Sequence, residues 1–485
     1  MKMFVAREHE LGQLETAYDA GGFQMAVVYG RRRVGKTALL RKFVSDKANA
    51  LFFTARRTVA QENLEALSAA FATRDTYPGE FYPDEAYPNS YVPAAHPVYQ
   101  SFSDAFLALF QRAQRERVIL VIDEYPYLAE SEPSVSSVLQ ALIDEYGGSS
   151  RLFLVLCGSS MSFMKEQVLG EESPLYGRRT LQMELRPFDA FDSARLLGTS
   201  DPILAVELYA LVGGTPQYLL QLDASQGVEW NIANRLLGAG AYLSEEADNF
   251  LSQEVRSPAA YNAIIAAIAD GCVRPQEISD RTRIRPPLVQ QYLARLEKLA
   301  LVKRVTPVVG AKKRQVRYEI ADNLFRFRYR FGTKYAAAID AGMGDMVARE
   351  IVGGELSSFV GPVFEEVARQ WLVRQMASGA LDMIPQSVGT WWGTDPRTKQ
   401  QEEIDVVVKG AHQLLLGECK WRDSPVDSSV VGTLRRRATL LDDGGRLRLY
   451  LFSKSGFEEE CARHAQAVGI ERLVTVREMF DDRRR

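Results

Sequence analysis

Cysteine is scarce: the chain has four in 485 residues, Cys157, Cys272, Cys419 and Cys461, far apart and without a CxxC pair. That spacing argues against a zinc framework or a disulfide scaffold and fits a reducing cytoplasm. Long apolar runs are lacking as well. No stretch of about 18 uninterrupted apolar residues is present to span a bilayer, and MKMFVAREHE has no signal-peptide core, so a soluble cytoplasmic chain with no membrane partner is expected. Neither sign of charge dominates. With 59 Lys and Arg against 62 Asp and Glu the net charge is -3, so the global balance points to no polyanion. Self-similarity at about 20 to 50 residues is absent too, which argues against a solenoid.

What is present is an ordinary globular composition, 46% hydrophobic and 25% charged, on a chain long enough for two to four domains. Short apolar runs at 23–29, 50–54, 118–122 and 152–157 alternate with helical stretches, as in a parallel α/β sheet. Residues 1–190 therefore read as one α/β domain. Tyr77-Pro78, Tyr82-Pro83 and Tyr87-Pro88 recur inside it at a density that forbids a regular helix; the segment 77–99 reads as a surface insertion or a partner-binding arm. A helical lid is expected at 191–254, broken at Gly213-Gly214-Thr215-Pro216. Three amphipathic helices and a strand at 316–320 give a winged-helix pattern at 255–335. After a linker near 336–354, a helix at 363–376 and strands at 404–408, 414–419 and 447–452 give a second α/β domain, 345–485.

GRRRVGKT, Gly30 to Thr37, satisfies GxxxxGK[ST]. The glycines let backbone N–H groups of Gly30, Arg31, Arg32, Arg33, Val34 and Gly35 close around phosphates, and the helix beginning at Lys36, Thr37 and Ala38 adds favourable partial charge. Lys36 is expected to reach the β- and γ-phosphates of ATP. Thr37 is expected to ligate magnesium together with Asp123, at the end of the apolar run VILVIDE. Glu124 would orient and deprotonate the attacking water. No NKxD-like base-reading motif marks a GTPase.

With these motifs in hand, the chain resembles the archaeal-type P-loop ATPase family, related to AAA and STAND proteins. FVAREHEL at 4–11, VIDEYPYL at 121–128, LCGSSMSFM at 156–164, LYGRRT at 175–180 and GGTPQYL at 213–219 carry the resemblance. It implies that Arg7 lies near the nucleotide, that Ser159 or Ser160 senses the γ-phosphate, and that Arg178 or Arg179 is an arginine finger. A finger acting in trans requires a homo-oligomer. Pro216 resembles the element that packs against nucleotide in STAND relatives, although a plain helix breaker looks the same. Ser159, following an apolar strand, also falls at the carboxyl edge of the sheet by its own position.

Between Arg281 and Lys334 there are 15 Lys or Arg against three acids, Glu297, Glu319 and Asp322. A winged helix so charged is a DNA-binding candidate, with Arg283, Arg285, Lys312, Lys313 and Arg314 on its recognition helix and wing. Packing of that basic face against the nucleotide domain is the alternative. Arg326, Arg328 and Arg330 alternate with Phe325, Phe327, Tyr329 and Phe331, which predicts a strand with one charged face.

In the last domain Asp405 opens the run IDVVV, and Glu418 and Lys420 close the next strand on one face. Two carboxylates there can bind magnesium while the lysine positions a water or stabilises charge on a phosphate. This region resembles the archaeal C-terminal domain that accompanies such ATPases, itself similar to PD-(D/E)xK nucleases. By that resemblance Glu365 in GPVFEEVARQW is the third acidic ligand, with adjacent Glu366 left open. The expectation is an ATPase coupling a nucleotide switch to DNA binding and metal-dependent cleavage. The alternative is a signalling switch whose nuclease-like domain is inert.

Overall fold

The computed structural model describes residues 4–72, 98–311, 315–441 and 444–481. Most of the Tyr-Pro segment, and Lys312, Lys313 and Arg314, therefore lie outside the described residues. Two compact units divide the chain, Met1–Arg186 and Pro187–Arg485. Among the described residues no helix is long and apolar enough to cross a membrane.

The first unit is built on strands β1 (Gln24–Tyr29), β2 (Ala50–Thr54), β3 (Val118–Asp123), β4 (Leu152–Gly158) and β5 (Leu181–Glu184), all parallel, in the order β2-β3-β4-β1-β5. Side chains alternate across a strand, so each strand feeds two cores. Val27, Leu120, Ile122, Leu154 and Leu156 pack with α3 (Ala60–Ala72), α4 (Phe102–Ala113), α5 (Tyr125–Ser131) and α6 (Val135–Tyr146) on one face. Val28, Val121, Phe153, Val155 and Cys157 pack with α1 (Glu8–Asp19) and α2 (Lys36–Val44) on the other. Each such fully buried Val or Leu contributes about 2 kcal/mol. This two-sided burial explains why the strands read as unbroken apolar runs. β5 has only Met183 buried, and no run announces it.

In the second unit, α7 (Ala190–Leu197) begins at Asp189, whose carboxylate accepts the Phe191 and Asp192 amides; α8 (Pro202–Val212) ends at Gly213, φ 68°. Then come α9 (Pro258–Ala269), α10 (Pro275–Thr282), α11 (Pro286–Lys298) and an antiparallel pair, β6 (Val302–Val305) with β7 (Arg317–Ile320). The last sheet has order β12-β11-β10-β9-β8, from β8 (Ser387–Thr394), β9 (Gln401–Lys409), β10 (Gln413–Lys420), β11 (Arg446–Ser453) and β12 (Arg472–Thr475). Helix α12 (Leu356–Ala377) and α13 (Ser428–Ala438) pack against it.

Two expectations are corrected here. Residues 325–331 are no strand: Asp322 caps a helix by accepting the Phe325 amide, and a π-helical turn continues it. The aromatic residues are buried on all sides, and Arg326 runs beneath Phe359, 4.3 Å from the ring centroid; alternation reports a strand only where one face meets water. The stretch 336–354 is likewise no open linker. It carries helices Ala336–Asp340 and Gly344–Glu350, the second burying Val347 and Ala348.

Candidate functional site

Parallel strands bring the loops after β1, β3 and β4 to one sheet edge, where Tyr29 stands level with Gly158 and Ile122 with Leu156. The loop after β1 needs its glycines. A Cβ on Gly30 would sit 2.3 Å from the Leu185 carbonyl oxygen, and Gly35 has φ 92°, a left-handed conformation that costs L side chains energy. Arg33 and Glu124 adopt such positive φ values, 72° and 53°, without being glycine, a strain typical of functional loops. Helix α2 then starts at Lys36 because Leu39, Leu40 and Phe43 share one buried stripe.

Lys36 is almost fully buried, its ammonium donating to the Gly30 and Arg31 carbonyls at 2.9 and 3.0 Å. Burial pushes its pKa down, against the pull of Cys157, Glu124 and Asp123. The Thr37 hydroxyl donates to Asp123 at 2.7 Å. Ser159 holds Glu124 through its hydroxyl at 2.8 Å and its amide at 3.3 Å. Arg7 donates to the Val34 carbonyl in the same loop at 3.3 Å and to Glu10 at 2.7 Å. Arg32 reaches the Tyr127 hydroxyl at 2.8 Å, a partner the sequence did not reveal. Val34 packs into the core beneath, and Cys157 lies under the site, its thiol pKa raised by burial and by Asp123.

Arg178 and Arg179 are not at this edge. Thr180 pairs with Met25, at the start of β1, so the two arginines lie at the amino end of the sheet. Four residues of strand, about 13 Å, separate Met25 from Tyr29. Arg178 is forked onto Asp144 at 2.9 and 2.6 Å. Arg179 lies 5.8 Å from the Tyr176 ring centroid, with one buried guanidinium nitrogen that has no hydrogen-bond partner among the described residues. Pro216 belongs to the second unit, at the first turn of the short helix Pro216–Leu219.

The C-terminal acids divide into two sets. Asp405 accepts the Cys419 amide at 2.9 Å, and its pKa is raised to about 7 by burial and by Glu418. Glu365, on α12, is raised to about 8 by burial and by Asp405. Arg369 draws α12 to β9, donating to the Asp405 carbonyl at 2.6 Å and to Glu366 at 3.1 Å. Glu418 sits apart from this pair in its bonding. Both its oxygens accept from Arg437, at 3.1 and 2.9 Å, and one accepts from Lys420 at 2.7 Å. Among the described residues no group of three or more His, Cys, Asp or Glu is arranged to hold a metal ion. Of the three acids expected there to hold magnesium, Glu365 and Asp405 have their proton affinity raised by burial and by a neighbouring carboxylate, whereas Glu418 is held by Arg437 and Lys420. Arg437, one of three consecutive arginines at 435–437, belongs to no motif that would announce this contact.

Residues 4–222 match a family model described as an ATPase domain predominantly from Archaea, and residues 328–431 match one of archaeal and bacterial proteins of unknown function. An uncharacterised protein of Methanocaldococcus jannaschii is 28% identical over 425 residues, 87% of this chain and 88% of its own. An uncharacterised ATP-binding protein of that organism is 47% identical over 45 residues, 9% of this chain and 76% of its own. A Walker-type ATPase of Pyrococcus abyssi superposes with TM-score 0.50 at 22% identity, covering 67% of this chain and 96% of its own, a likeness of fold.

Proposed function

We propose that this chain, an ATP-binding ATPase by virtue of residues 4–222, is a magnesium-dependent nucleotide switch whose second unit binds duplex DNA. The observation that carries the nucleotide half is the 2.7 Å hydrogen bond between Thr37 and Asp123. It pairs a hydroxyl and a carboxylate oxygen beside a phosphate-binding loop. Those oxygens fit magnesium, which needs few protein ligands when nucleotide phosphates and water supply the rest; the ion would neutralise phosphate charge.

The chain's own groups account for the remaining steps. Gly30 to Ala38 present amides to the phosphates, and Lys36, released from the loop carbonyls, adds a positive charge at the β- and γ-phosphates. Glu124 accepts a proton from the attacking water, held in place by Ser159. Arg7, hydrogen-bonded to the loop, steadies its geometry. Arg178 or Arg179, at the far end of the sheet, serves as a finger only on a neighbouring copy's nucleotide. Pro216 belongs to a lid, 191–254.

Support for DNA is the arrangement at 255–335, three helices and a two-stranded ribbon of winged-helix kind. Arg283 and Arg285 are exposed before α11, and their side chains have no ion-pair or hydrogen-bond partner among the described residues. The ribbon's connection is engaged differently: the Val308 amide donates to the Thr390 carbonyl at 3.0 Å, and Arg317 stacks 4.2 Å from the Trp392 centroid while pairing with Glu403 at 3.4 Å. DNA contact is therefore assigned to α11 and its leading arginines. The domain at 345–485 is nuclease-like in this reading, and Lys420 contributes its charge to the domain's ionic network.

The test is ATP turnover with and without duplex DNA over a range of salt. Duplex DNA should raise turnover, and binding should weaken steeply with salt. A rate indifferent to DNA of every length and end structure sinks the DNA half and leaves a switch acting on protein partners.

A further inference from the structure

At the end of the last sheet, acids and bases alternate along one chain of contacts. Asp395 lies 3.6 Å from Arg436, Arg436 2.6 Å from Glu402, Glu402 2.8 Å from Arg437, Arg437 2.9 Å from Glu418, and Glu418 2.7 Å from Lys420. Along these contacts three carboxylates meet three cations, and Asp405 adds its charge beside Glu418 and Lys420. The network joins four pieces of chain: the turn after β8, strands β9 and β10, and the last turn of α13. Glu402 and Glu418 are buried, with 6% and 5% exposure.

Placing a divalent ion on Glu418 would have to break two guanidinium hydrogen bonds and a lysine contact. It would also strand Arg437, whose other acceptor, Glu402, is already shared with Arg436. Breaking one partner out of a buried ionic set costs more than the pair itself is worth, because the remaining charge is left without compensation. We infer that Arg437 takes the place a metal ion would hold at Glu418, so that Glu418 anchors α13 to the sheet and the C-terminal fold does not cleave phosphodiester bonds. The inference rests on the nuclease-like reading of residues 345–485 only for the activity it denies. The anchoring role stands on the ionic network alone.

Counting bound manganese tests it. Full-length protein saturated with a slowly hydrolysed ATP analogue is titrated with Mn2+ and followed by paramagnetic resonance. Wild type, Asp405→Asn and Glu418→Gln should each bind one ion per chain, and Asp123→Asn none. Two ions in wild type, falling to one in Glu418→Gln or Asp405→Asn, overturns the inference. So does Mn2+-dependent plasmid nicking that Asp405→Asn abolishes. Thermal unfolding of Glu418→Gln provides the second readout: a lowered Tm with an unchanged ion count supports the anchor, and an unchanged Tm refutes it. DNA-stimulated ATP turnover on the same wild-type sample reports the function proposed above separately, since its loss leaves the ion count untouched.

Discussion

Asp123-Glu124 and Glu418 both close an apolar, buried strand of an α/β sheet with a lysine close by, and at the level of motif they look alike. Their partners differ. The acids of the first site meet neutral donors: the Thr37 hydroxyl on Asp123, and the Ser159 hydroxyl and amide on Glu124. Glu418 meets a fork from Arg437 and the ammonium of Lys420. A hydroxyl orients a carboxylate and leaves its charge able to attract a cation or a proton, whereas a guanidinium cancels that charge. An acid at a strand end is therefore a place for chemistry only when the counter-charge is missing from the fold and supplied by the ligand.

The largest effect should come from the uncancelled side. Lys36→Ala removes a positive charge that gains its worth only when phosphate arrives, a loss of about 3 kcal/mol in transition-state stabilisation, or at least about a hundredfold in turnover. Steady-state ATP hydrolysis measures it. Turnover at the wild-type rate would dissolve the contrast between the two sites.

On the cancelled side the effect should fall on stability. Arg437→Met leaves Glu402 and Glu418 short of a partner and should cost about 2–3 kcal/mol, toward the low end for a broken buried pair because Arg437 keeps 20% of its side-chain exposure. Urea unfolding gives the number. The double variant Arg437→Met/Glu418→Gln should lose less than the sum of its singles; strict additivity would mean that the two side chains are not a unit.

The first site was legible because its chemistry is local. Gly30 to Thr37 and Asp123-Glu124 lie in two short runs, and the two-sided burial of β1, β3 and β4 makes those strands plain in the sequence. β5 and β8 bury too few residues to announce themselves, and β12 is four residues long. Residues 325–331 misled because alternation marks a strand only where one face is wet. The C-terminal site was half legible. Asp405, Glu418 and Lys420 sit where the strand pattern puts them, but the group that decides their role, Arg437, comes from a helix 19 residues after Glu418, and sequence spacing says nothing of that contact. Arg178 and Arg179 were legible as residues and not as positions, since only the pairing of Thr180 with Met25 puts them at the amino edge.

Ser159 offers a finer cut at the first site. Its hydroxyl and amide both hold the Glu124 carboxylate, so it is a positioning residue. Ser159→Ala should lower kcat about tenfold, the worth of one hydrogen bond to a charged group, with little change in KM. A change confined to KM would assign Ser159 to nucleotide binding instead, and would bring it closer to a γ-phosphate contact.

A last effect, read through pH, concerns Glu365 and Asp405, where among the described residues Arg369 comes no nearer to the Glu365 carboxylate than 4.0 Å. Their folded pKa values, about 8 and about 7, lie above those of unfolded carboxyls, about 4. Between these limits the folded chain keeps protons that the unfolded chain has lost, so stability declines as pH rises from about 4 to about 8 and levels off beyond. Glu365→Gln with Asp405→Asn removes both titrations. The wild-type Tm should accordingly drop relative to that of the double variant on going from about pH 5 to about pH 8. A difference that stays flat would mean that the pair is already charge-balanced, and the contrast between a closed Glu418 and an open Asp405 would fall with it.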